Sequence, residues 1–400
     1  MRKLFYISIC LALLLLTVGA VVSAEKATLI AVKVATDPVL DGSGEDEVWA
    51  NAPALSVSPP GVTLKAVYTD QDLYVLATWS DSTASFTRGG SWSWDGSAWV
   101  KSSGQSEDRI SFFWDMNIPN FAAQGCMTKC HPGTHEEGGE DDAWLETGKG
   151  DMWHMKAARS LGVISMSQSG TLTIDPDSHE ATAGTIIFDG YVDDKWLGPW
   201  SADNAPDGGR YGDDGSSTYK HNRNEDKTAP LYMESAPSDY ADAMTLYQSE
   251  IDLGEAIEVA TADVDALWAH YAALNAVVPE RILRAPEGSR ADVREAATWS
   301  DGTWTAEFQR ALDTGHPDDD VILSDLSKEY LFGVAVMDNA GGDDHTFSGI
   351  LALTFQVAVE LPETGFQPTS SSNTTLYVVG GVILILLAGG AITLARRRIA

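Results

Sequence analysis

Cys126 and Cys130 stand four residues apart, and His131 directly follows the second, in Gly125-Cys-Met-Thr-Lys-Cys-His-Pro132. Two thiols can add across the vinyl groups of a porphyrin, and an imidazole beside the second can reach the iron from below. The segment therefore offers, in the right order, the three groups that covalent attachment of a c-type haem needs. The spacer is one residue longer than in the common Cys-x-x-Cys-His, which suits a loop better than a tight helical turn. A zinc site would draw on the same residues with His135 and nearby carboxylates, although zinc cysteine pairs usually have a shorter spacer. A disulfide or redox-active dithiol would use the thiols and leave His131 idle. Covalent haem on Cys126 and Cys130, with His131 as the proximal iron ligand, uses all three.

The compartment fits this chemistry. Met1-Arg-Lys3, an apolar run from Leu11 and Val22-Ser-Ala24 read as a secretory signal peptide over residues 1–24. Cys10 leaves with it, so the mature chain keeps one cysteine pair and is no disulfide-stapled scaffold. At the other end, residues 376–395 are apolar or small and are closed by Arg396-Arg-Arg398. About twenty such residues at ~1.5 Å rise span a bilayer core as a helix, and the arginines place the 396–400 tail on the cytoplasmic side. The expected topology is extracytoplasmic, with a single pass through the membrane. Residues 361–375 form a stalk that opens on Leu361-Pro-Glu-Thr-Gly365, similar to the sorting signal cut by sortase between Thr364 and Gly365. That processing would move the anchor from membrane to cell wall.

The formal charge is -32. With Arg2, Lys3 and the three terminal arginines set aside, 21 cations face 58 anions, which makes nucleic acid and anionic lipid poor partners. Acidic runs such as Asp318-Asp-Asp320 and Glu136-Glu137 with Asp141-Asp142 match no calcium-loop spacing and read as solvated faces.

Residues 25–360 read as one all-β domain, an antiparallel β-sandwich with loop insertions and a short helical segment. Val62–Tyr68 and Leu73–Trp79 alternate about a turn, as a hairpin does, and Arg109–Trp114 is a third strand. Thr303–Arg310, Tyr330–Met337 and Ser348–Gln356 repeat the pattern. Val264, Leu267, Tyr271 and Leu274 recur at helical steps within Thr261–Val278, before Pro279. Ser201–Pro230, rich in Asp, Gly, Asn and Ser, reads as a long exposed loop.

These segments together resemble the haem-binding domain of the family that includes the gamma subunits of ethylbenzene dehydrogenase and dimethylsulfide dehydrogenase, in its Cys-x-x-x-Cys-His branch. The matching stretches run from Leu40-Asp-Gly42 and Asp46–Trp49 through Thr78–Asp81, Asp108–Trp114, the cysteine loop, Asp151–Arg159, Gly288–Val293, Asp301–Thr305 and Phe332–Asp338 to His345–Gly349. The resemblance implies a β-sandwich that clamps one haem and relays electrons, with a redox partner of the molybdenum oxidoreductase type. It also implies the second axial ligand. In b-haem relatives a lysine just ahead of a Ser-x-Ser-Gly-like strand takes that role, and the matching position here is His345. His154, within the matched Asp151–Arg159 stretch, is the runner-up, and Lys156 and Arg159 are expected in the haem surroundings. Met155 and Met116 rank below both histidines.

No Ser-His-Asp arrangement, nucleotide loop or carboxylate pair suggests catalysis, so the expected role is an electron-transfer protein rather than an enzyme. The rival class is a surface carbohydrate-binding module, invited by thirteen tryptophans and the Asp41-Gly42 to Trp49 opening. Core burial accounts for most of those tryptophans, and sugar binding leaves the cysteines and His131 unexplained.

Overall fold

The computed structural model describes residues 26–103, 106–125, 145, 147–166, 172–198, 215–340, 345–356, 376–379 and 382–385. The chain forms two compact units, Met1–Val357 and Ala358–Ala400.

The first unit is built on a single 14-stranded sheet. Its strands, in chain order, are β1 Ala27–Lys33, β2 Leu55–Val57, β3 Val62–Tyr68, β4 Asp72–Ser80, β5 Arg109–Asp115, β6 Gly150–Lys156, β7 Leu161–Met166, β8 Thr185–Tyr191, β9 Lys195–Leu197, β10 Val293–Ser300, β11 Thr303–Ala311, β12 Tyr330–Met337, β13 Thr346–Phe347 and β14 Leu351–Gln356. Across the sheet the order is β9-β6-β5-β12-β14-β1-β3-β4-β11-β10-β8-β7, with β2 added to β3 and β13 to β12.

Alternation decides which side chains turn inward. Ile110, Phe112 and Trp114 of β5, Trp153 and Met155 of β6, Trp304, Ala306 and Phe308 of β11, and Phe332 and Val334 of β12 share one core. Phe112 meets Phe308 edge-on at 5.2 Å although six places separate their strands in the sheet order. The sheet is therefore curled, and its two halves face each other like the layers of a sandwich. Each such aromatic contributes about 1.5–3 kcal/mol by leaving water.

The expected strands are present, and so is the helix, as Val264–Leu274 capped by the Asp263 carboxylate on the Ala266 N–H. Two expectations for this unit need correction. The sheet is not wholly antiparallel: β1 lies parallel to both β14 (Leu29 opposite Leu353) and β3 (Ala31 opposite Ala66). Residues 34–61 provide the long connection that a parallel return requires. Ser201–Pro230 is not one exposed loop, because Tyr219–His221 pairs with Arg281–Leu283 and Asn222 is buried, its carboxamide binding Tyr232 and Pro279 carbonyls. Residues 199–214 lie outside the described residues.

In the second unit, Leu376–Val379 and Val382–Ile385 pair as antiparallel strands where a helix was expected. The β-branched Val378, Val379, Val382, Ile383 and Ile385 flank a Gly-Gly pair in sequence, a composition that favours a hairpin over a helix in the absence of a bilayer. Among the described residues no helix is long and apolar enough to cross a membrane.

Candidate functional site

The cysteine loop lies between two fixed points. Phe121 and Leu145, on either side of it, pack with Phe113, Ile118 and Leu197 in a small apolar cluster. Phe113 alternates with the core residue Phe112, so this cluster covers the outer face of the β5-β6 region. Gly150 makes room for it: a Cβ there would come within 2.4 Å of the Phe113 ring. Gly125 donates its N–H to Phe121 O at 2.8 Å, and Leu145 to Gly198 O at 2.9 Å. Cys126, Cys130 and His131 themselves lie outside the described residues, as does His135.

His154 belongs to the same outer face. It stands opposite Ser111 on β5, two residues from Met152, which packs on the apolar cluster. Its side chain is 8% exposed, and neither ring nitrogen has a hydrogen-bond partner. Burial, reinforced by Lys156, Lys195 and Arg109, holds the imidazole well below its usual protonation range. It is thus a neutral ring with its lone pair available, the form in which histidine ligates metals. A buried imidazole with two unmet nitrogens costs stability unless another group meets them.

The row continues sideways. Ser111 is opposite Ala335 of β12, and Ala335 is opposite Phe347 of β13. His345 precedes β13, is half-buried and contacts the Phe347 ring at 5.9 Å. By strand alternation His345 shares the outer face with Phe347, Ala335, Ser111 and His154. Three strand spacings of roughly 4.8 Å separate the backbones of Phe347 and His154 along it. Met155 points the opposite way, into the core, and Met116 packs against that core.

Lys156 and Arg159 are tied to buried carboxylates. Asp193 forms ion pairs with Lys156, Lys195 and Arg290, all of them buried. Glu107 binds Arg159 and Arg109 and accepts the Ala158 N–H at 2.8 Å. Burial alone would raise Glu107, but Arg159, Arg109 and Arg88 outweigh it and bring it down to about 2. His154 therefore sits beside a rigid, charged block that ties β5, β6 and β9 together. Sequence reasoning placed His154 and its neighbours in one stretch but gave no sign of Asp193 or Glu107 as their partners, because each comes from a strand or turn remote in sequence.

One acidic run also differs from expectation. Asp320 is not on a solvated face. It is 1% exposed and shares Arg310, at 3.6 Å, with Asp151, at 3.5 Å. Arg310 is itself fixed by the Val321 carbonyl, at 2.6 Å. The signal for this lay in the arginine, a charge on the inward register of β11.

No curated protein matches the chain. Among solved structures, the family 9 carbohydrate-binding module of Caldicellulosiruptor kristjanssonii in complex with cellotriose is 10% identical, with 85% of this chain and 100% of that chain covered at a TM-score of 0.28. The same module in complex with glucose is 9% identical, with 84% and 99% covered at 0.29. A family model described as ethylbenzene dehydrogenase matches residues 47–346, which takes in the β2–β12 strands, His154 and His345. The chain belongs to the ethylbenzene dehydrogenase family.

Proposed function

We propose that this protein is an electron-transfer cytochrome held at the outer surface of the cell, with one haem c bound to Cys126 and Cys130. In this reading His131 ligates the iron from the loop and His154 from the sheet. The observation that carries it is the His154 imidazole, buried, neutral and without a partner at either nitrogen, on the face where both flanks of the cysteine loop are fixed. Haem, when bound, supplies a one-electron iron couple. The chain's own residues provide the rest: Phe113, Phe121 and Leu145 exclude water from the loop's base, and the Asp193 and Glu107 networks hold β6 so that His154 keeps its position.

The family resemblance assigns the second ligand to His345 instead, and the two are separated by experiment. A pyridine haemochrome spectrum, with haem retained through a denaturing gel and lost in C126A/C130A, tests attachment. H154A should convert a low-spin absorption spectrum to high-spin while H345A leaves it low-spin. The reverse pattern assigns His345, and a colourless protein rejects the cytochrome reading.

Membership of a family named for an oxidoreductase supports a redox partner, for which a molybdenum oxidoreductase is our proposal. Anchoring by residues 376–395, with sortase acting at Leu361–Gly365, remains the proposed means of surface retention, testable by whether T364A moves the protein from the wall to the membrane fraction.

A second reading, glycan binding, has one feature in its favour. A cleft of about 320 Å³ is lined by Trp94, Trp99, Pro230 and Leu231, with Glu258 and Asn224 as polar groups. Haem-free protein retained on an immobilised glycan, and released by W99A, would support it.

A further inference from the structure

Three carboxylates from distant parts of the sequence meet where four turns of the sheet converge. Asp81 follows β4, Asp108 precedes β5 and Asp338 follows β12, and one carboxylate oxygen of each lies within 4.8 Å of the others. The β10-β11 turn joins them through Gly302 O, which accepts the Asp81 N–H at 3.0 Å.

Asp108 is fully buried and held rigidly. It accepts the Ser85 N–H at 2.7 Å, the Asn339 N–H at 2.9 Å and the Trp304 indole at 3.2 Å. Asp81 is 6% exposed, and its Oδ1 takes the Thr83 N–H at 3.2 Å while its buried Oδ2 has no partner. Among the described residues no lysine, arginine or histidine forms an ion pair with any of the three, in contrast to Asp151 and Asp320, which share Arg310. Beside them a cleft of about 520 Å³, lined by Ser80, Asp81, Asp301, Gly302 and Asp338, leads to solvent.

Buried carboxylates are found paired or bound to metal, because an isolated charge in a low-dielectric site is costly. Three oxygens within 4.8 Å of one another lie no more than about 2.8 Å from a common centre, so a calcium ion at about 2.3–2.6 Å from each would draw them together by a few tenths of an ångström at most. An all-oxygen set without thiolate or imidazole selects a hard cation over zinc or copper. The partnerless Asp81 Oδ2 and the open cleft beside it supply what a bare group of acids lacks, an oxygen waiting for a ligand and a route for one to arrive. We propose that Asp81, Asp108 and Asp338 form a calcium site, its coordination completed by water from the cleft.

Such an ion would pin the ends of β4, β5 and β12 to one another. It is independent of the haem reading, and its test needs no redox activity. Full-length protein is stripped with EGTA, dialysed against micromolar CaCl₂, and assayed for retained metal by mass spectrometry and for thermal unfolding. The expected result is one calcium per chain and a melting temperature raised by several degrees over the stripped protein. D338N, which alters an exposed side chain and should fold, loses the retained calcium and the rise, while D292N, at a different acidic cluster, keeps both. No retained calcium in the wild-type protein, or retention in D338N equal to wild type, overturns the proposal. So does D81N protein that retains calcium and melts with wild type in its presence, since Asp81 would then be no ligand.

Discussion

The carboxylate of Glu307, on β11, receives the indole N–H of Trp49 at 3.1 Å across 258 residues of chain. The same carboxylate accepts the Gly42 N–H at 2.7 Å and the Asp41 N–H at 3.2 Å. The Asp41-Gly42 to Trp49 opening is therefore a strap buttoned onto the outside of the sheet, which accounts for these residues without a ligand. Trp49→Phe removes one donor and should cost about 1 kcal/mol. Glu307→Ala leaves three donors unmet and should cost roughly 3 kcal/mol, read as a lower urea midpoint at unchanged slope.

Gly42 lies so close to the sheet that a Cβ would come within 2.6 Å of the Ala297 backbone, and its φ is +74°. Gly42→Ala should therefore destabilise by more than the ~1 kcal/mol of an ordinary left-handed glycine. Substitution of Gly61, where φ is +95° and nothing lies within 4 Å, should cost only that smaller amount. Parallel thermal melts of the two variants decide this.

Glu107 sets part of the acid limit. Its carboxyl ionises at about 2 in the folded protein against an ordinary value of 4.5. A depressed acid contributes its full stability above the unfolded value and loses it as pH falls through the folded one. The contribution, on the order of 3 kcal/mol, should thus disappear between about pH 4.5 and pH 2. Glu107→Gln should be less stable than wild type at pH 7, and the gap should close with acidification across that window. A constant gap would mean that hydrogen bonding rather than charge sets the cost.

Glu295 has the opposite sign. It points into the core of β10 and accepts the Ser160 hydroxyl at 2.8 Å, and burial pushes it up to about 8 from 4.5. The folded state therefore holds a proton that the unfolded state releases between those values, so stability falls as pH rises from 4.5 to 8. Glu295→Gln should remove this slope and melt higher than wild type at pH 8, by an amount on the order of a few kcal/mol at most. Equal pH profiles for the two proteins would show that the carboxyl is not protonated in the native state.

Much of the sheet was legible because burial follows period two: Leu64, Ala66, Val75, Ala77, Phe112 and Trp114 all turn inward as their alternation requires. Helix Val264–Leu274 was legible from its spacing and its Asp263 cap. What escaped were relationships between segments far apart in sequence. Nothing in Ala27–Lys33 says that it will lie parallel between β3 and β14. Nothing in Asp318–Asp320 says that its last member will meet Arg310 inside the fold. His154 stood out only through the stretch around it, since its two partnerless nitrogens are a property of everything that fails to reach them. Asp81, Asp108 and Asp338 each sat in a matched segment, but their convergence depends on the register of three strands.

β1 occupies the middle of the sheet, yet its two neighbours come from opposite ends of the domain: Ala31–Lys33 pairs with Ala66–Tyr68, and Ala27–Val32 pairs with Leu351–Gln356. One edge of β1 can be covered early in synthesis, but the other stays bare until more than three hundred residues have followed it. A bare edge in mid-sheet invites pairing with another chain. Any product cut short before Leu351 would keep that edge of β1 bare, so truncation at the far end of the domain is felt at its first strand, as a site open to pairing with another chain.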